Sequence, residues 1–164
     1  MKNTALYLLI FSAALLIPVH ASSVDDATSH SEKIILGSGC FWGAEKGYEA
    51  MPGVIDAVSG YADGNGVRPT YREITKLKNK FNVNNHAEVV EVTYNTNLIS
   101  TEELLMHYFE SHDPTQINKQ GNDVGTQYRS IILYSTDQQK QAVDQVLGSY
   151  QGLLTAAGYG EIAT

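Results

Sequence analysis

A two-layer α+β or α/β sandwich is the fold this 164-residue chain predicts, because short strand-like runs alternate with helix-like runs between turn signals. Three segments carry that prediction. Residues 87–94 alternate as a half-buried strand. Ser100 with Glu103 forms a capping box that opens a helix running to about Ser111. Val143, Val146, Leu147, Tyr150 and Leu154 make the core stripe of a second, longer helix.

The elements follow in order. Lys2 precedes an apolar run at residues 5–17 and a small-residue end at Ala21, which predicts a secretory signal peptide at 1–21 and hence export to the periplasm or beyond. The run is too short to span a bilayer comfortably. Residues 22–32 are polar and aperiodic and are expected to be a linker, leaving 33–164 as one domain. Residues 33–36 predict a strand that Gly37 and Gly39 stop. Residues 41–51 predict a helix with Phe41, Ala44, Tyr48 and Met51 on one face, ended by Pro52-Gly53. A strand at 54–61, a loop at Asp63-Gly64-Asn65-Gly66 and a short helix at 70–77 come next. Residues 78–85 are polar and Asn-rich, an exposed loop. In the helix after Ser100, Leu104, Leu105, Tyr108 and Phe109 point inward. Residues 113–127 lack periodicity and are expected to be a long ordered loop, of the kind that carries function. A strand at 128–134 follows, then a helix capped by Ser135 with Gln138 and ended by Gly158 and Gly160. Residues 161–164 are expected to begin a strand that joins the sheet.

Loss of Lys2 with the signal would take the net charge from −7 to about −8. Such a chain repels phosphate backbones and shows no basic stripe, which argues against a nucleic-acid partner. The single cysteine, Cys40, has no internal partner for a disulfide, so in an oxidising compartment it is reactive or paired between chains. It lies where a strand end loosened by glycines meets a helix start. Unpaired N–H groups and the helix dipole there favour a thiolate, the nucleophilic form. Phe41 and Trp42 follow at once and could wall a pocket for a small apolar group; Phe41 also belongs to the helix's core face, whereas Trp42 does not. Glu88 shares its strand face with Val90, Val92 and Tyr94. A carboxyl held there should keep its proton to higher pH, as a general acid must; it could equally escape to solvent or meet Arg72 or Arg129. Asp123 and Tyr128 could organise a site, or belong to a self-bonded loop, and Tyr71 is similarly open. The histidines His86, His107 and His112 lack metal-ligand spacing with Cys40, so no metal site is expected.

Four blocks together resemble the A-type peptide methionine sulfoxide reductases. They are Gly39-Cys40-Phe41-Trp42-Gly43, Pro69-Thr70-Tyr71-Arg72, His86-Ala87-Glu88, and the pair formed by residues 112–116 and 121–130. They occur in the family's order from about Ile34 onward. The resemblance implies an α+β sandwich with a mixed sheet flanked by helices, ferredoxin-like in style. It implies reduction of the S epimer of methionine sulfoxide, with Cys40 as nucleophile and Phe41 and Trp42 bounding the methyl pocket. Glu88 is then the acid, Tyr71 and Tyr128 bind the sulfoxide oxygen, and Asp123 holds the network. No bound cofactor is implied. An outside thiol, thioredoxin-like or another dithiol, would regenerate Cys40, and oxidised proteins and peptides would be the substrates of an expected monomer.

The stretch between Tyr71 and His86 is longer than usual for the family, its Lys/Asn content is unusual, and family members usually continue past Thr164, so the domain is expected to be C-terminally short. Two alternatives stand beside this reading. One is a cysteine hydrolase or acyltransferase pairing Cys40 with His86 or His112 and Asp123. The other is a non-catalytic sulfoxide-binding remnant.

Overall fold

The computed structural model describes residues 30–66 and 69–164. The expected signal peptide at 1–21, and the expected linker up to residue 29, lie outside the described residues. Ser31 and Glu32, at the linker's end, already belong to the first strand, β1 (Ser31–Ser38).

The chain then runs α1 (Phe41–Glu49), β2 (Val54–Ala62), α2 (Tyr71–Ile74), β3 (Ala87–Asn95), α3 (Thr101–Glu110), the two-residue strands β4 (Lys119–Gln120) and β5 (Asp123–Val124), β6 (Ser130–Leu133) and α4 (Asp137–Ala156). Four strands form the main sheet in the order β2-β3-β1-β6. The two-layer α+β sandwich is therefore observed, in the split β-α-β arrangement of ferredoxin-like folds. The sheet is not mixed: every pairing, β1 with β3, β1 with β6 and β2 with β3, is antiparallel. Each helical crossover connects strands of like direction but leaves a slot between them. β3 fills the slot between β1 and β2, and β1 fills the slot between β3 and β6, so no parallel neighbours meet.

One sheet face is apolar because the strands alternate. Ile34 pairs with Val92 and Leu36 with Val90. These residues, with Tyr94, are buried against Tyr48, Leu104, Leu105, Tyr108, Phe109, Val143 and Val146 of the helices. Fully burying such side chains stabilises the fold by about 1.5–3 kcal/mol each. Glu88 extends the same row toward the start of β3.

The capping box on α3 forms as expected. Glu103 N–H donates to Ser100 Oγ at 3.2 Å, and Ser100 N–H donates to Glu103 Oε2 at 2.8 Å. The cap of α4 lies one residue later than Ser135 with Gln138. Thr136 Oγ1 accepts from Gln139 N–H at 3.1 Å, and the buried Gln139 donates from Nε2 to the Lys33 carbonyl at 2.8 Å. Gln139 faces inward and its amide is satisfied there, whereas Gln138 is exposed. The strand expected after Gly160 does not form. Residues 161–164 lie as a coil held by side chains and by a loop: Ile162 N–H donates to Gln151 Oε1 at 2.7 Å and Ala163 N–H to the Pro114 carbonyl at 2.8 Å. Those contacts take the donors a strand would have offered. Tyr128 likewise sits in a single 3-10 turn (Thr126–Tyr128), and the strand starts only at Ser130.

Candidate active site

Cys40 is the N-cap of α1, in extended conformation (φ −64°, ψ 120°), and its thiol is exposed. Gly39 before it has φ +103°, a left-handed value that favours glycine. A Cβ at Gly39 would stand 2.8 Å from Gln120 Cβ. That close approach seats β4 and its loop directly against the Cys40 turn.

The Glu88 carboxyl lies on the other side of the same turn. Its Oε2 accepts from the Phe41 backbone N–H at 3.3 Å, and the residue is only 2% exposed. Burial raises its pKa above the usual carboxylate value. The Phe41 N–H opposes that shift and the nearby Asp123 charge adds to it. Glu88 therefore lies on the buried face that strand alternation gave it, with its pKa shifted in the expected direction. Arg129, one of the partners that could have neutralised Glu88, goes elsewhere. Its Nη2 donates to Asp63 Oδ2 at 2.9 Å and to the Asp63 carbonyl at 2.7 Å. Its Nη1 donates to the Asn85 carbonyl at 3.1 Å and to the Thr126 carbonyl at 2.7 Å. The guanidinium therefore ties together the loop after β2, the approach to β3 and the turn that carries Tyr128.

Tyr128, Tyr71 and Asp123 converge on the same place. Burial raises the Tyr128 pKa, and the charges of Glu88 and Asp123 raise it further, with Tyr71 contributing less. All three side chains line one open groove. The loop at 113–127 is both self-bonded and site-forming. Asp113 accepts from the Thr115 hydroxyl at 2.6 Å, from Gln116 Nε2 at 2.8 Å and from Thr115 N–H at 3.0 Å, which lowers its pKa, while the β4–β5 hairpin carries Asp123.

Phe41 is buried and Trp42 is 76% exposed, their rings stacked with centroids 6.4 Å apart. Sequence reasoning missed Tyr61. It pairs across the sheet with Glu88, its ring lies 5.4 Å from that of Phe41, and burial, then Glu88, then Tyr71 raise its pKa. Its only local signal was a place on an expected strand. His107 was also passed over. It lines the cavity that contains Cys40, Ser38 and Asp123. The histidines weighed as partners for Cys40 do not serve. His112 has Nδ1 2.7 Å from the Tyr108 carbonyl and Nε2 2.7 Å from Ser130 Oγ, so both ring nitrogens are engaged. His86 lines a separate cavity with Asn65, Asn82 and Asn84. Among the described residues no group of His, Cys, Asp and Glu side chains could hold a metal ion.

These features define a class: a split β-α-β sandwich with one cysteine at a helix start, a buried carboxylic acid bonded to the residue after it, and two tyrosines in an adjoining groove that shares Asp123 with the cysteine's cavity. A family model described as peptide methionine sulfoxide reductase matches residues 32–156, and the chain belongs to that family. The peptide methionine sulfoxide reductase MsrA of Xylella fastidiosa strain M12 is 44% identical over 146 residues, 89% of this chain and 65% of the relative. The structure of methionine sulfoxide reductase A of Corynebacterium diphtheriae superposes with a TM-score of 0.74 at 42% identity, covering 82% of this chain and 63% of that one. Mxr1 from Saccharomyces cerevisiae in complex with Trx2 superposes with a TM-score of 0.57 at 25% identity, covering 83% and 74%. The chain spans about 65% of the length of the Xylella relative and 58–59% of several others.

Proposed function

We propose that this chain reduces the S epimer of methionine sulfoxide, free and in proteins, to methionine, with Cys40 as nucleophile and Glu88 as the proton donor. One observation carries the reading: a carboxyl kept toward its neutral form by burial is hydrogen-bonded to the residue next to the thiol.

Sulfoxide sulfur is a poor electrophile while its oxygen holds negative charge. As the Cys40 sulfur bonds to it, Glu88 delivers a proton to the oxygen, and the Tyr71 and Tyr128 hydroxyls stabilise the developing S–OH group. Asp123 helps hold this network, and Phe41 with Trp42 bounds the sulfoxide methyl. Methionine leaves, and Cys40 carries the oxygen as a sulfenic acid. A thiol then attacks Cys40, water departs and a disulfide forms, which a second thiol clears. Cys40 is the one cysteine among these 164 residues, so the reducing thiols lie outside them. The complex of Mxr1 with Trx2 supports a thioredoxin-like protein in that role. The charged start and apolar run at residues 2–17 support export, periplasmic or beyond, with a domain that begins near β1.

The test is incubation with dithiothreitol and each sulfoxide epimer. Methionine is expected from the S epimer only, and none above background from Cys40→Ser. With no reductant, one methionine per chain should appear, and a sulfenic-acid probe should label Cys40. Turnover by Cys40→Ser, or equal use of both epimers, would refute the reading.

A further inference from the structure

The segment between Tyr71 and His86 carries charge opposite to that of the whole chain. Arg72, Lys76, Lys78 and Lys80 against Glu73 leave residues 72–80 at +3 in a chain of −7. Glu73 is shared by two of the lysines: Lys76 contacts one carboxylate oxygen and Lys78 Nζ lies 3.6 Å from the other. Lys80 forms no ion pair among the described residues; its Nζ lies 5.6 Å from the Phe81 ring centroid.

The fold delivers this segment to the site. Thr126 N–H donates to the Lys80 carbonyl at 2.8 Å, which docks the segment on the turn that carries Tyr128. An open groove of about 410 Å³ results, with Tyr71, Tyr128 and Asp123 at the site and Leu77, Val124 and Lys80 along its walls. Leu77 is 85% exposed and Tyr71 59%. Clustered apolar side chains left in water beside a site gain by covering, and a rim of cations selects the charge of what covers them.

We propose that this groove is a specificity surface for the substrate polypeptide flanking the oxidised methionine. It favours segments with an apolar residue near the sulfoxide, set against Leu77 and Val124, and an acidic residue farther along, facing Lys80. Asp123 lies in the groove with Tyr71 and Tyr128, so the acidic residue is placed away from it, toward the lysines. The inference rests on the reductase reading above. It adds a substrate class: acidic, partly apolar stretches of oxidised protein.

The test compares two short peptides that differ only in Asp or Lys two to four residues from the methionine sulfoxide, with free methionine S-sulfoxide as reference. The wild-type chain should use the Asp peptide about fivefold better in kcat/KM at low salt, the difference shrinking as salt rises. Lys80→Glu should abolish or reverse that preference. Leu77→Ser should lower the ratio of peptide to free-sulfoxide kcat/KM by raising KM for both peptides. Equal use of the two peptides by the wild type, or a preference that survives Lys80→Glu, would overturn the groove assignment while turnover of free sulfoxide leaves the reductase reading intact. No methionine from free sulfoxide would instead remove the reductase reading itself.

Discussion

The two flanks of the Cys40 turn are built differently. On one, Glu88 is fixed by a strand paired on both sides and by the N–H of Phe41. On the other, Asp123, Tyr128 and Tyr71 come from a two-residue hairpin, a 3-10 turn and a four-residue helix. The flank that carries Glu88 is set by sheet register, which cannot slip by one residue without moving Glu88 to the opposite face. The flank that carries Asp123, Tyr128 and Tyr71 is set by side-chain hydrogen bonds and one guanidinium. Chemistry that needs a fixed distance sits on regular structure, and recognition that must accept many sequences sits on loops.

The largest test of that division is Glu88→Gln. The isosteric amide keeps the shape and cannot give up a proton readily, so kcat/KM should fall about 100-fold. Because the folded pKa of Glu88 is raised, the folded state holds its proton more tightly than the unfolded chain does. The stability this contributes is full below the ordinary carboxylate range and is lost as pH rises through the raised value. Wild-type activity should fall over that same rise, whereas the residual rate of the Gln variant should not follow it. A pH profile of both proteins decides this, and identical profiles would remove Glu88 as the acid.

Gly39→Ala joins the two flanks in one perturbation. It places a side chain at φ +103° and drives a Cβ into Gln120. A loss of about 1–3 kcal/mol in thermal or denaturant unfolding is expected, with activity falling as the hairpin is displaced. Arg129→Gln acts on the loop flank alone. It should cost about 2 kcal/mol and loosen Tyr128, raising KM more than it lowers kcat. An unchanged KM would show that the tyrosine turn holds without the clamp. Ser100→Ala, remote from both flanks, should cost about 1 kcal/mol in unfolding and leave kcat/KM as it was.

Legibility in the sequence follows the same division. The face of Glu88 was readable because strand alternation is local, and so was the capping box, whose four residues are contiguous. Tyr61 was not readable. Its place opposite Glu88 depends on the β2–β3 register, which shifts at an irregularity near Val54 and Asp56. The cap of α4 was misplaced by one residue because two hydroxyls in succession could each have served. What decided between them was the burial of Gln139 against β1, a contact 106 residues away in sequence. The tail after Gly160 read as a strand because its residue types suit one, but its N–H groups are taken by Gln151 and Pro114. The mixed sheet was expected from the family resemblance, whereas the interleaving of the two crossovers leaves every neighbouring pair antiparallel. Block resemblance named Tyr71, Tyr128 and Asp123 as oxygen-binding and network residues, which no periodicity could have done.

The sheet order has one more consequence. The strands that deliver the sulfur and the acid, β1 and β3, are the inner two, while β2 and β6 are the outer ones. Outer strands fray first, and amide hydrogens there exchange with solvent soonest. A chain warmed or oxidised enough to open at its margins would still keep Glu88 bonded to the turn that carries Cys40. If the proposed reductase activity holds, that pair would be among the last parts of the site to be lost to the damage it repairs.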